Sequence, residues 1–104
     1  MSDEEFDAGR LDEAIHGRLR LGIMAYLSQA SPATFNELKE MTGATGGNLS
    51  THLRKLEDSG YITQTKSFEG RKPLTTIALT DAGRTAFTSY LEALRPLLGG
   101  QAAE

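Results

Sequence analysis

The chain contains no cysteine. That absence rules out disulfides, thiolate metal sites and thiol redox switches, and it leaves the fold to rest on an apolar core. Long hydrophobic runs are missing too: no stretch approaches the roughly 18 consecutive apolar residues of a membrane span. The N-terminal segment is acidic where a secretory signal would be basic and then apolar, so a cytoplasmic location and no membrane partner are expected. No cluster of His, Asp or Glu has metal-ligand spacing, no nucleophile–base pair stands out, and no glycine-rich phosphate loop follows a strand. An enzyme is therefore not expected, and neither a cofactor nor a metal is implied. What remains, at 104 residues with 38% hydrophobic and 24% charged content, is the ordinary make-up of one soluble globular domain.

Positive charge is scarce as well, with a formal net charge of −3. That would argue against a nucleic-acid partner only if the charge were spread evenly, and it is not. Asp3, Glu4, Glu5, Asp7, Asp12 and Glu13 stand against Arg10 alone, whereas between Thr45 and Thr75 the cations Arg54, Lys55, Lys66, Arg71 and Lys72 outnumber Glu57, Asp58 and Glu69. Screening confines Coulomb attraction to about 8 Å at physiological ionic strength, so a polyanion responds to the nearest charges rather than to the total. Accidental clustering on a solvated surface explains the same pattern, and charge alone leaves both readings open.

Residues 1–10, MSDEEFDAGR, hold one aromatic residue and a run of acids, too little to offset ordering entropy, and are expected to be disordered. From Leu11 the apolar spacing is helical but interrupted at Gly17, giving a short piece to His16 and a longer helix from Arg18 to Gln29. Ser31-Pro32 breaks that helix. Thr34-Phe35-Asn36-Glu37 has the spacing of a capping box and opens a helix to about Met41, with Leu38 and Met41 on one buried stripe. Gly43 suits the left-handed residue that ends a helix, and Thr45 can cap the next one, which runs to about Ser59 and is closed by Gly60. A separation of roughly three or four residues between two helices is helix-turn-helix spacing. Tyr61 to Phe68 and Leu74 to Leu79 are rich in β-branched and aromatic residues, with turn chemistry in Glu69-Gly70-Arg71-Lys72-Pro73 between them, so a β-hairpin with a basic tip is expected. Thr80-Asp81 starts a last helix through Leu98, whose final turn Pro96 should loosen, and residues 99–104 read as a flexible tail.

The stretch TGATGGNLSTHLRKLEDSGYI, Thr42 to Ile62, carries the chemistry. On a helical wheel Leu49, Leu53 and Leu56 fall within about 60° of one another, while Gly47, Thr51 and Arg54 lie opposite, with Asn48, Ser50 and Lys55 flanking them. Each interior glycine costs a helix roughly 1 kcal/mol relative to alanine, so Gly46 and Gly47 work against the helix they begin. Missing side chains let backbone approach a surface closely, and a helix's first turn presents unpaired N–H groups suited to phosphate. Asn48 suits an adenine edge, Arg54 a guanine or a phosphate, and Ser50, Thr51 and Lys55 backbone oxygens. His52 lies at the border of the dry side, where a phosphate hydrogen bond and a plain structural role are both open. His16, beside the helix break, reads as a satisfied boundary histidine. Any surface helix shows a polar outer side; the order helix, short turn, polar-faced helix, basic-tipped hairpin is what points to a winged helix.

From about Leu11 to Leu98 the chain resembles the winged helix-turn-helix transcriptional regulators of the MarR and ArsR superfamily. TFNELKEMTGATGGNLSTHLRKLEDSGYI is similar to their two recognition-unit helices, and KSFEGRKPLTTIALTDAGRTAF to their wing and the Leu-Thr-x-x-Gly start of the last helix. The resemblance implies a mainly α fold with a small β-hairpin wing, and a transcriptional regulator that binds double-stranded DNA as a homodimer. One recognition helix per subunit would lie in successive major grooves, with the wing tip, residues 69–73, at the backbone or minor groove. It assigns DNA contact to Gly47, Asn48, Ser50, Thr51, Arg54 and Lys55 on the helix and to Arg71 and Lys72 on the wing, with Thr45 as cap near phosphate. Metal-sensing members use cysteine ligands, which this chain lacks. A winged helix used for protein–protein contact without DNA binding is the alternative. The chain looks too short for a separate effector domain, and it points to no particular small-molecule effector.

Dimerisation has support of its own. Leu19 to Leu27 and Ala86 to Leu98 offer apolar residues on more sides than a small core can cover, unless the core uses them all. The spacing of Phe87, Leu91, Leu94 and Leu98 is that of a helix packing along another helix. Tyr26, Phe87, Tyr90, Leu91, Leu94 and Leu98 are the expected interface residues, and two-fold symmetry would then predict a near-palindromic operator.

Overall fold

In the computed structural model, which describes residues 6–98, four helices enclose one core and carry a three-stranded sheet: α1 (Arg18–Leu27), β1 (Ala33–Thr34), α2 (Phe35–Thr42), α3 (Gly46–Asp58), β2 (Ile62–Glu69), β3 (Lys72–Leu79) and α4 (Asp81–Leu94). The mainly α class with a small hairpin wing is the one observed. None of the helices described is long and apolar enough to cross a membrane.

The segment before α1 departs from expectation. Within residues 1–10, expected to be disordered, Ala8–Arg10 make a 3-10 turn in which the Asp7 side chain accepts from Gly9 N–H at 2.9 Å; residues 1–5 lie outside the described residues. Leu11 to His16 is a single turn rather than a helix. Asp12 holds it: its carbonyl accepts from the N–H of Ile15 and His16, at 3.1 and 2.8 Å, and its Oδ1 accepts from Ala14 N–H at 2.9 Å. A side chain that competes for backbone donors in this way disfavours continuation, and Gly17, at φ 127°, leaves helical geometry altogether. Tyr61 donates its hydroxyl to Asp12 Oδ2, and His16 Nδ1 lies 2.9 Å from the Tyr90 hydroxyl. The turn is thereby tied to the start of β2 and to α4, with Ile15 fully buried beneath it.

The capping box is present as expected: Glu37 N–H donates to Thr34 Oγ1 at 3.1 Å, and Thr34 N–H donates to Glu37 Oε1 at 2.7 Å. Gly43 takes the left-handed conformation, φ 70°, that ends α2. Met41, expected on the buried stripe, is exposed. The buried side of α2 runs instead through Phe35, Leu38 and Thr42, whose 3, 4 spacing lies on one flank of Leu38 while Met41 falls about 60° to the other.

Three residues separate α2 from α3. The hairpin is tighter than the expected turn over 69–73. Gly70, at φ 65°, and Arg71 alone form it; Glu69 pairs with Lys72 and Phe68 with Pro73 in the ladder. A left-handed residue in a two-residue loop matches the twist of the flanking strands. Strand β1 was not anticipated, being too short to show periodicity. It pairs Ala33 with Ile77 and Thr34 with Thr76, which makes β3 central in the order β1-β3-β2.

Thr80 joins hairpin to α4. Its N–H donates to Tyr61 O at 3.0 Å, its hydroxyl donates to Gly60 O at 2.7 Å, and Oγ1 accepts from Gly83 N–H at 2.9 Å as the helix cap. The last helix stops at Leu94, with Pro96 just beyond, and residues 95–98 form a turn in which Leu98 N–H reaches Leu94 O. Residues 99–104, expected as a tail, lie outside the described residues.

Candidate nucleic-acid interface

Helix α3 is fixed from below. Leu49, Leu53 and Leu56 are each 0% exposed, and burying a leucine stabilises by about 1.5–3 kcal/mol, so these three set the rotation of the helix about its axis. Thr45 caps it, with Oγ1 accepting from Asn48 N–H at 3.1 Å. The opposite side is left to solvent: Gly47, Asn48, Ser50, Thr51, Arg54 and Lys55 are all exposed, as is Thr45. Thr51 donates its hydroxyl back to Gly47 O at 3.1 Å, which leaves its lone pairs outward. A Cβ built on Gly46 or Gly47 would meet nothing within 4 Å. The chain's own packing therefore gives no reason for these glycines.

His52 is the exception on this helix. It is half-buried, and its Nδ1 is buried without a hydrogen-bond partner. Burial, then the charges of Arg20 and Lys55, push its pKa below the ordinary 6.5, because both disfavour a second proton on the ring. A neutral, half-covered imidazole is a weaker phosphate ligand than the exposed positions around it.

Arg20, which sequence reasoning did not single out, is brought from α1 to the edge of this face. It lines a cleft with Lys55, Asp58 and Glu13, and its guanidinium donates to His16 O at 3.2 Å. No local signal in the sequence marks it, since its placement depends on how α1 packs across α3.

The wing lies beside the helix. From Thr65 to Glu69 every residue of β2 is exposed, so the distal hairpin projects from the body. Its tip carries Arg71 and Lys72, both exposed. The base is tied to the helix: Gln64 donates from Nε2 to Glu57 Oε1 at 3.0 Å, which occupies one of the acids nearest the basic face. Among the described residues no group of three or more His, Cys, Asp or Glu is placed to hold a metal ion.

The residues expected to meet a second chain divide. Phe87 and Tyr90 are buried in the chain's own core, Tyr26 and Leu94 are half-buried against it, and Leu91 and Leu98 are exposed. For Phe87 and Tyr90 this is a correction: the inner side of α4 runs through Gly83, Phe87, Tyr90 and Ala93, spaced 4, 3 and 3, and Leu91 lies roughly 95° off the middle of that line.

A family described as a winged helix DNA-binding domain matches residues 19–98. An uncharacterized protein of Methanocaldococcus jannaschii is 40% identical over 73 residues, which span 70% of this chain and 79% of that one. The solved structure of a transcriptional regulator homologue from Pyrococcus horikoshii OT3 is similar with a TM-score of 0.79 at 30% identity, covering 86% of this chain and 88% of that one. A MarR-family transcriptional regulator from Enterococcus faecalis V583 is similar with a TM-score of 0.69 at 26% identity, covering 86% and 80%. The fold alone is shared with Bacillus subtilis PadR solved with operator DNA, at a TM-score of 0.59 and 22% identity over 67% of this chain and 45% of that one. The resemblance to MarR- and ArsR-type regulators stated from sequence motifs therefore holds.

Proposed function

The chain belongs to the winged helix DNA-binding domain family, and from that premise we propose that it is a sequence-specific transcriptional regulator that binds double-stranded DNA as a homodimer. Residues 11–98 act as one unit, with α3 in the major groove and the wing tip at the backbone or minor groove. The observation that carries this reading is the split of α3: three leucines lock one side into the core while Gly47, Asn48, Ser50, Thr51, Arg54 and Lys55 are exposed together on the other. The empty space over Gly46 and Gly47 supports it, since backbone that close to the surface can meet phosphate directly. Asn48 and Arg54 have the donors and acceptors for base edges, and Ser50, Thr51, Lys55, Arg71 and Lys72 suit phosphate oxygens.

The second subunit would pack on the outer side of α4 and the turn that follows it, where Leu91 on the helix and Leu97 and Leu98 in the turn are exposed. Two recognition helices related by a two-fold axis would read half-sites about 34 Å, one helical turn, apart. A cytoplasmic location goes with this reading, and no catalytic role is assigned. The test is affinity for duplex DNA as a function of salt. The logarithmic slope should be strongly negative, and Arg54→Ala with Lys55→Ala should flatten it by about 0.9 for each phosphate no longer neutralised. Unchanged binding in that double variant removes α3 from the interface. Retention of a protein partner after nuclease treatment, with no duplex binding at low salt, would replace the reading with that of a protein-interaction module.

A further inference from the structure

The wing holds an aromatic ring that its own fold leaves in water. Phe68 is 72% exposed, and its cross-strand partner Pro73 is exposed too. Side chains along a strand alternate between faces, so Ile62, Gln64, Lys66 and Phe68 share one face of β2. The base of that face is turned to α3: Ile62 is buried in the core, and Gln64 reaches Glu57 on the helix at 3.0 Å. Lys66 and Phe68 continue the same face outward, past the point where the protein covers it. Phe68 and Pro73 therefore form an apolar knob on the α3 side of the hairpin, next to the Gly70–Arg71 turn, with Lys66 on the same face and Arg71 and Lys72 at the tip.

A phenyl ring left in water forgoes its burial free energy, and nothing in the hairpin needs it, because the ladder to β3 sets the register. The surroundings say what would cover it. Lys66 on the ring's own face and Arg71 in the adjoining turn set two cations beside it, while Lys72, paired with Glu69, alternates to the other face. Cations beside an apolar ring match a surface where phosphates flank an apolar wall, which is the make-up of a DNA minor groove lined by deoxyribose edges. Resting on the proposed DNA reading, we infer that Phe68, backed by Pro73, packs against the sugar wall of the minor groove beside the site occupied by α3. Lys66 and Arg71, beside the ring, hold the flanking phosphates, and Lys72 reaches a phosphate from the other face of the tip. The wing then contributes an apolar contact whose strength does not depend on salt, distinct from the ionic contacts of its tip.

The experiment uses the full chain and a duplex selected by the unaltered protein from a random-sequence pool. Phe68→Ala should weaken binding about tenfold while leaving the slope against salt unchanged, because every phosphate keeps its cation. Arg71→Ala with Lys72→Ala should do the reverse, lowering the slope by about 0.9 per phosphate released. The exposure of Phe68 means that the unfolding midpoint of Phe68→Ala should match that of the unaltered chain. Because the sequence contains no tryptophan, Phe68→Trp supplies a unique fluorophore, whose emission should change on duplex titration with the same midpoint as binding. Binding of Phe68→Ala equal to that of the unaltered chain, or a tryptophan indifferent to saturating duplex, overturns the inference and leaves the α3 reading standing. Failure of the unaltered chain to bind any duplex at low salt overturns both. Weakened self-association of Phe68→Ala in the absence of DNA, with duplex affinity unchanged, overturns it in favour of contact with a second copy.

Discussion

Gly83, in the first turn of α4, lies so close to Tyr61 that a Cβ built on it would sit 2.2 Å from the Tyr61 carbonyl oxygen and 2.9 Å from Leu79 Cδ1. The crowding has a cause. Thr80 bonds both Gly60 and Tyr61, which draws the start of α4 onto the start of β2 and fixes the wing against the body. Backbone cannot yield as a flexible side chain can, so Gly83→Ala should destabilise the fold by about 3 kcal/mol or more. Chemical denaturation checks this, and a midpoint equal to that of the unaltered chain would contradict the packing.

Gly47 should behave in the opposite way. Nothing lies within 4 Å of a Cβ built there, and alanine favours a helix by up to about 1 kcal/mol over glycine. Gly47→Ala should therefore raise the unfolding midpoint while lowering affinity for duplex DNA. Stability and binding moving in opposite directions is the signature of a residue kept small for a partner's sake. A variant that gained stability and bound DNA unchanged would show that the open space above α3 has no occupant.

The features legible in the sequence were those set by neighbours along the chain. Thr34 with Glu37, Gly43 and Thr45 act within one helical turn, and each performs the capping or terminating role its residue type favours. The leucine stripe of α3 was legible for the same reason, its period being that of the helix. What escaped reading depends on contacts distant in sequence. The Asp12 turn is held by Tyr61, β1 exists only through its pairing with β3, and the solvent side of Phe68 follows from a hairpin register set by a tighter turn than Glu69 to Pro73 suggested. Phe87 and Tyr90 were expected at a dimer interface because a stripe on one helix does not say which of two partners it faces; the core took them.

Tyr61 gives the fold a limit at high pH. The hydrogen bond to Asp12, then burial and the charge of Asp12, push its pKa from 10.0 up to about 12. A raised folded-state pKa means that the folded chain holds the phenol proton more tightly than the unfolded chain does. The stabilisation is complete below the unfolded value of 10.0 and is lost as pH rises toward about 12. Between about pH 9 and about pH 11.5, the unaltered chain should lose more stability than Tyr61→Phe, which has no proton to lose. Equal losses in the two proteins would remove the Asp12–Tyr61 tie from the account.

His52 acts at the other end of the scale. Its pKa is pushed below 6.5 by burial and by Arg20 and Lys55, so the folded chain prefers the neutral ring. The sign is the reverse of that for Tyr61: the contribution is present above 6.5 and is lost as pH falls through the lower folded value. His52→Gln should therefore lose less stability than the unaltered chain between about pH 7.5 and about pH 5. Denaturation curves at the two pH values measure the difference, and parallel behaviour would exclude His52 as its source.

The proposed dimer can be tested without disturbing the monomer. Leu91 and Leu98 are 46% and 67% exposed, so replacing both with aspartate leaves the core packing intact and should change the unfolding free energy by no more than about 0.5 kcal/mol per site in a monomeric chain. Placed in a shared apolar interface, the same two carboxylates would be desolvated without partners, which disfavours association by several kcal/mol. Sedimentation should show the unaltered chain as a dimer and Leu91→Asp with Leu98→Asp as a monomer, and affinity for a two-half-site duplex should fall toward that of a single half-site. Phe87→Ala is the contrasting case. Its ring is buried within one chain, so it should cost about 3–5 kcal/mol of fold stability. If the double aspartate variant sediments as the unaltered chain does, the outer side of α4 and the turn after it are not where two copies meet.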